Sequence, residues 1–170
     1  MKTILLGLCT ALSLTSLQAD GVMHASAEIH PASGSQVTGR VVFKQEEQGV
    51  RIVAELKGLK PGVHGFHIHE KGDCSAPDAS SAGGHFNPKG QPHAGPDAGL
   101  RHVGDLGNLV ADEKGNAAYE RLDKVIQLNG PDTIIVRSVV VHADPDDFKT
   151  QPTGNAGARV GCGVIKQDLQ

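Results

Sequence analysis

Hydrophobic and polar residues alternate along several short stretches of this chain, with the period of two that is typical of β-strands. The clearest case is residues 39–44 (GRVVFK) followed by residues 50–56, where Val50, Ile52, Ala54 and Leu56 share one face. The turn-like sequence EEQG between the two stretches predicts a β-hairpin. Residues 107–122 (GNLVADEKGNAAYERL) repeat the same pattern around a Lys-Gly-Asn turn.

Further strands are predicted at residues 64–70, 133–141 and 159–165, separated by turn dipeptides such as Pro-Gly and Gly-Pro. The chain contains 22 glycines and 9 prolines, and no 3.6-residue hydrophobic stripe persists beyond its N-terminus. Many short strands without helices predict an all-β fold, an antiparallel Greek-key sandwich or barrel. Residues 71–105 and 143–158 lack alternation, and loops of this length are usually functional.

The N-terminus has the three regions of a secretory signal. Lys2 precedes a hydrophobic core at residues 4–14, and small Ala19 marks the end of the segment. The hydrophobic core is too short to span a bilayer. We therefore predict a signal peptide at residues 1–19 and a single exported domain at residues 20–170. A retained core segment and a lipid anchor at Cys9 are the alternatives.

The composition that remains after signal removal argues against nucleic acid and membranes as partners. The remaining chain has 15 basic and 19 acidic residues, a formal charge of −4, and the whole sequence holds only five aromatic residues. Without a basic cluster we expect no nucleic-acid binding, and no membrane attachment once the signal is gone. Two cysteines remain, Cys74 and Cys162, and in an oxidising compartment they predict one disulfide; two separate buried thiols are the alternative.

Six histidines and an aspartate stand out as candidate metal ligands. In a strand, His67 and His69 face the same side, whereas Phe66 and Ile68 face the other. The remaining candidates lie in or beside the long loops: His85, His93, His102, Asp105 and His142. His24, His30 and His64 are instead expected to be structural or surface residues.

These seven residues are too many for one ion. Nitrogen-rich sites suit Cu(II), and mixed histidine and carboxylate sites in tetrahedral arrangement suit zinc. The loop containing His85, His93, His102 and Asp105 can close around a tetrahedral ion. His67, His69 and His142 would then hold a second ion between strands.

Four segments, GFHIHE, GGHFNP, RHVGDLGN and TGNAGARVGCGVI, resemble those of exported, bacterial-type copper-zinc superoxide dismutases, and the similarity covers residues 26–166. The resemblance implies a β-sandwich, copper and zinc cofactors, superoxide as the substrate, and a periplasmic or otherwise secreted location. It also implies the following roles: copper on His67, His69 and His142; His85 as the bridging imidazolate and proton carrier; zinc completed by His93, His102 and Asp105; and Asp146 as the carboxylate that links histidines of both sites.

Superoxide is an anion and the chain is net negative, so attraction has to be local. By resemblance, Arg159 is the guanidinium at the copper mouth and Thr153 narrows the opposite wall. The chain lacks the Glu-Glu-x-x-Lys-Thr pattern of eukaryotic members. Lys149 is either a replacement steering charge or a solvated lysine, and Cys74 follows His69 by five residues, as in bacterial members.

Two hypotheses of function follow. One is an enzyme that dismutates superoxide; the other is an exported copper- or zinc-binding buffer or chaperone-like protein without catalysis. His85, His142 and Arg159 together favour the enzyme. A protein that only stores metal needs neither a histidine that bridges two ions nor an arginine that attracts an anion. Both a monomer and a homodimer are compatible with the sequence, since residues 160–165 could either pair between chains or pack within one.

Overall fold

Nine β-strands form the regular structure of residues 21–169, which are the residues that the computed structural model describes. The predicted signal segment lies outside these residues. The strands are β1 (His24–Pro31), β2 (Thr38–Glu46), β3 (Gly49–Lys57), β4 (Gly62–His69), β5 (Asp105–Ala111), β6 (Ala117–Asp123), β7 (Ser138–His142), β8 (Arg159–Val164) and β9 (Lys166–Gln167). One 3₁₀ turn, Ser80–Ala82, is the helical element of this part of the chain.

The strands close into an antiparallel barrel. Their order is β2-β3-β6-β5-β4-β7-β8-β1-β9, and β1 also pairs with β2, so eight strands form a ring to which β9 is appended. The connections from β3 to β4 and from β6 to β7 each pass over intervening strands, which is Greek-key topology. The predicted all-β class is confirmed. Among the described residues, no helix is long and apolar enough to cross a membrane.

The predicted hairpin is present, with β2 and β3 paired along their full length, from Thr38 opposite Lys57 to Glu46 opposite Gly49. The second predicted hairpin is splayed, because β5 and β6 share only the pair Ala111 and Ala117. The strand predicted at residues 133–141 needs correction. Residues 133–137 form an isolated bridge, a turn and irregular structure, so β7 begins only at residue 138. Strand β1 was not predicted at all.

The core fills the barrel interior with the inward residues of each strand. Phe43, Ile52, Phe66 and Ile68 are fully buried there. Burying a side chain of this size contributes about 1.5–3 kcal/mol. Because alternation sends Phe66 and Ile68 inward, it sends His67 and His69 to the outer face of β4, as predicted.

A second, smaller cluster holds the 71–105 loop against the outside of the barrel. It consists of Ala32, Ala79, Ala82, Val140 and Cys162, with Cys74 packed against it. The predicted disulfide joins Cys74 to Cys162, with an S–S distance of 2.07 Å and a Cα–Cα distance of 5.8 Å. The loop is therefore attached to β8 and covers the face that His67 and His69 occupy.

Candidate metal centre

Strand register brings the candidate ligands together. Asp105, the first residue of β5, pairs with His67 of β4, and an isolated bridge sets His85 opposite His69. Across β7 and β8, His142 pairs with Arg159 beside a β-bulge. Bulges next to functional sites commonly re-aim a side chain. Backbone pairing alone thus gathers six predicted site residues onto one outer face.

The first group of ligand atoms comes from four buried histidines, His67, His69, His85 and His142, whose ligand atoms lie within 4.8 Å of one another. His69 Nδ1 donates to the Gly83 carbonyl at 2.9 Å, and His142 Nδ1 faces the Gly157 carbonyl at 3.3 Å. Both Nε2 atoms are then lone-pair acceptors, only 3.4 Å apart. Two lone pairs this close repel each other, so the pair suits a cation between them.

The second group consists of His85, His93, His102 and Asp105, all buried. Asp105 Oδ1 lies 2.9 Å from the Nδ1 atoms of His85 and His93, and 3.3 Å from that of His102. Three nitrogens and one carboxylate oxygen make a donor set typical of zinc. His85 belongs to both groups, because its Nδ1 faces this one and its Nε2 faces the other.

Two orphaned atoms support the fit to metal ions. His67 Nδ1 and His85 Nε2 are buried, and neither has a hydrogen-bond partner among residues 21–169. Buried polar nitrogens are almost always paired, since an unpaired one costs about 1–3 kcal/mol. Both atoms belong to the first group, where a bound cation would satisfy them.

Asp146 contacts one histidine of each group. His67 Nε2 donates to its Oδ2 at 2.7 Å, and His93 Nε2 donates to its Oδ1 at 2.9 Å. A carboxylate only accepts, so each Nε2 carries the hydrogen, and this leaves His67 Nδ1 with a lone pair toward the first group. Asn108 holds Asp146 in place, because its amide exchanges two hydrogen bonds with the Asp146 backbone at 2.8 and 2.9 Å.

Burial lowers the pKa of several histidines in the two groups, whereas hydrogen bonding raises the pKa of His93. Burial lowers the pKa of His67 to about 4 and that of His142 to about 3, which keeps both imidazoles neutral. Burial also opposes charge on His93, but its hydrogen bonds to Asp105 and Asp146 raise the pKa to about 9. The same histidine contacts outweigh burial at both aspartates and hold their pKa values below the usual range.

Arg159 lies beside the first group. Its guanidinium donates to the Ala79 and Gly83 carbonyls, both at 2.7 Å, and Gly83 is the same carbonyl that His69 contacts. The Arg159 guanidinium and the His69 imidazole therefore contact the same backbone carbonyl, that of Gly83. Thr153 is half-buried in the 143–158 loop, and Lys149 is exposed.

Three histidines lie outside both groups. His24 and His30 are exposed on β1. His64 is buried, and its ring nitrogens lie 2.7 Å from the His142 carbonyl and 2.8 Å from the Lys60 carbonyl. The expectation of structural or surface roles is therefore consistent with their positions, and His64 fixes the backbone of His142.

A buried ion pair anchors the turn that contains His102 and Asp105, and sequence reasoning missed it. Arg101 Nη1 donates to the carbonyls of His102, Val103 and Asp105, and its Nη2 pairs with Asp123 of β6. Arginine is rarely buried without a partner, but nothing in its local sequence indicated that Asp123 would supply the partner.

Two nitrogen-rich ligand groups that share one histidine, on the outside of a closed antiparallel barrel, define a binuclear metalloprotein. A family model described as copper/zinc superoxide dismutase matches residues 37–165, and the chain belongs to that family. Its activity is the dismutation of superoxide, and its cofactors are copper and zinc. The resemblance drawn from the sequence motifs is confirmed.

Individual relatives agree with this assignment. The chain is 45% identical over 150 residues to an extracellular superoxide dismutase [Cu-Zn] of Brugia pahangi, with 83% of this chain and 74% of the relative covered. It is 49% identical over 136 residues to a superoxide dismutase [Cu-Zn] of Paramecium bursaria Chlorella virus 1, with 76% and 72% covered. Among solved structures, the clock protein EA4 superimposes with a TM-score of 0.81 at 40% identity, covering 89% of this chain and 98% of that one.

Proposed function

We propose that the first group holds copper and the second holds zinc, with His85 shared between the two ions. Copper would be bound by Nδ1 of His67 and by Nε2 of His69, His85 and His142. Zinc would be bound by Nδ1 of His85, His93 and His102 and by a carboxylate oxygen of Asp105. The observation that carries this assignment is the pair of buried nitrogens on His67 and His85 that have no hydrogen-bond partner within residues 21–169.

When bound, copper supplies a one-electron redox couple, and zinc supplies a fixed positive charge that does not change oxidation state. The overall reaction converts two superoxide anions and two protons into dioxygen and hydrogen peroxide. The protein has to deliver those protons and admit the anion. We assign one residue to each of these two tasks.

His85 is the residue we assign to proton delivery. Its Nε2 faces the first group, where superoxide reacts, and its Nδ1 faces the second group. A ring held at Nδ1 can carry a proton at Nε2 and give it to the peroxide being formed.

Arg159 is the residue we assign to binding superoxide. Arginine stays charged throughout the physiological pH range, and its half-buried guanidinium suits a small anion. Two loop carbonyls fix the side chain, so little conformational entropy is lost when the anion binds. Because the mature chain is net negative, this local charge has to overcome repulsion from the rest of the surface.

Residues 20–170 form the enzyme in this proposal, and residues 1–19 direct its export. The disulfide supports an oxidising compartment, and the name of the Brugia pahangi relative supports secretion. A periplasmic location follows if the source is bacterial. A homodimer would not form by strand addition at Gly161 and Cys162 of β8, because both edges of the strand are paired there inside the barrel. Sedimentation equilibrium would distinguish a monomer from a dimer.

The proposal is tested by metal content per chain and superoxide consumption measured on one sample, purified without chelator and reconstituted with both metals. We expect one copper, one zinc and rapid consumption. His85→Ala should uncouple the two sites and change the copper reduction potential. Arg159→Ala should retain both metals but slow turnover and weaken its salt dependence. Normal activity in both variants would overturn the roles assigned here, and two bound metals without activity would favour the metal store.

A further inference from the structure

Gln151 holds the backbone of His93 from the opposite loop. Its Oε1 accepts a hydrogen bond from the His93 backbone N–H at 2.8 Å, and its Nε2 donates to the His93 carbonyl at 2.8 Å. One carboxamide thus satisfies both backbone polar groups of a single residue, as a neighbouring strand would. His93 lies in irregular structure, where no ladder supplies these partners.

The turn that contains Gln151 also packs against the His93 ring. Gly154 has φ +69°, and a Cβ there would collide with Asp146 Oδ1 and come within 2.7 Å of His93 Nε2. The Gly154 N–H donates to the Thr150 carbonyl at 2.7 Å, which closes the turn. Residues 150–154 therefore contact His93 twice, at its backbone through Gln151 and at its imidazole through the backbone of Gly154.

From these contacts we propose that Gln151 is a positioning residue that couples zinc binding at His93 to the order of the 143–158 loop. The inference rests on the proposed function, in which His93 binds zinc. Zinc would fix the His93 ring, Gln151 would carry that restraint to its own turn, and the same loop leads to Thr153 and Arg159. Zinc loading would then also set the shape of the entrance through which superoxide passes.

The test is Gln151→Met, which keeps the side-chain length and removes both hydrogen bonds to His93, together with a longer one from Nε2 to the Lys149 carbonyl at 3.3 Å. We expect zinc affinity, measured by chelator competition, to fall about tenfold, because partners outside the ligand set typically contribute 10–100-fold. Co²⁺ bound in place of zinc should show an altered visible absorption spectrum. Amide hydrogens of residues 147–154 should exchange faster in the zinc-saturated variant than in the zinc-saturated wild type.

Gln45→Met is the matched control. The Gln45 amide also donates to two backbone carbonyls, of Glu46 and Gly49 at 3.0 and 3.1 Å, but it lies at the β2–β3 hairpin. Its variant should bind zinc as the wild type does. Gln151→Glu, which keeps the acceptor and loses the donor, should give an intermediate zinc affinity.

Two results would overturn the inference while leaving the proposed function intact. In the first, the wild type binds one zinc, and Gln151→Met has the same zinc affinity and the same amide exchange rates as the wild type. The other is an equal loss of zinc affinity in Gln45→Met, which would indicate a general loss of stability. A wild type that binds no zinc would instead overturn the proposed function itself.

Discussion

Replacing Asp146 by asparagine tests how one carboxylate serves both ligand groups. The aspartate accepts from His67 Nε2 at 2.7 Å through one oxygen and from His93 Nε2 at 2.9 Å through the other. Asparagine has the same shape but a single acceptor oxygen, so at least one imidazole loses its partner. Hydrogen bonds to a charged group contribute about 1.5–3 kcal/mol each, which corresponds to roughly 10–150-fold in metal affinity.

The assay for Asp146→Asn is competition with chelators of known affinity, read separately for copper and zinc. Asp147→Asn is the matched control, because Asp147 is exposed and its carboxylate accepts hydrogen bonds only from Lys149 and Thr150 in the described chain. We expect normal metal affinity in the control and weakened affinity in Asp146→Asn. If Asp146→Asn bound both metals within about threefold of the wild type, the reasoning about imidazole orientation would be refuted.

Three further predictions follow from buried and exposed charges. Arg101→Met leaves Asp123 buried without its main partner, so the free energy of unfolding in urea should fall by about 3–5 kcal/mol; a loss below about 1 kcal/mol would contradict this. In the metal-free protein, burial lowers the pKa of His67 to about 4 from 6.5, so the unfolded chain takes up protons first as the pH falls. Stability should therefore decline between about pH 6.5 and 4, by roughly 3 kcal/mol for His67 alone, and a flat urea midpoint over that range would refute the assignment. Lys149→Ala should slow superoxide consumption about twofold at low ionic strength and not at high salt, and an unchanged rate at low salt would make Lys149 an ordinary solvated lysine.

The division between rigid barrel and long loops explains where the chemistry lies. His67 and His69 are fixed by β4, and His142 by β7, so three of the seven candidate ligands are positioned by paired strands. The other ligands come from the 71–105 loop, which the disulfide, the small outer cluster and the Arg101–Asp123 pair attach to the barrel. Each attachment restrains a loop that has little regular structure of its own.

Local patterns in the sequence predicted the features that depend on neighbouring residues. Alternation around residues 39–56 gave the β2–β3 hairpin, and the same period put His67 and His69 on one side of β4. The number of candidate ligands, seven, suggested two ions. The pattern failed for residues 133–137, where hydrophobic residues occupy a turn. It also failed for β1, where the alternation in HASAEIHP is regular but two of its three buried positions are small alanines.

The sequence by itself determined the all-β class, the candidate ligands and, through its motifs, the family. Only the tertiary structure decided which nitrogen of each histidine faces which group, because that choice depends on partners far along the chain. Asp146 is 79 residues from His67, and Gln151 is 58 residues from His93. Such contacts form only when the barrel closes and brings its two loops together, and no local pattern records them.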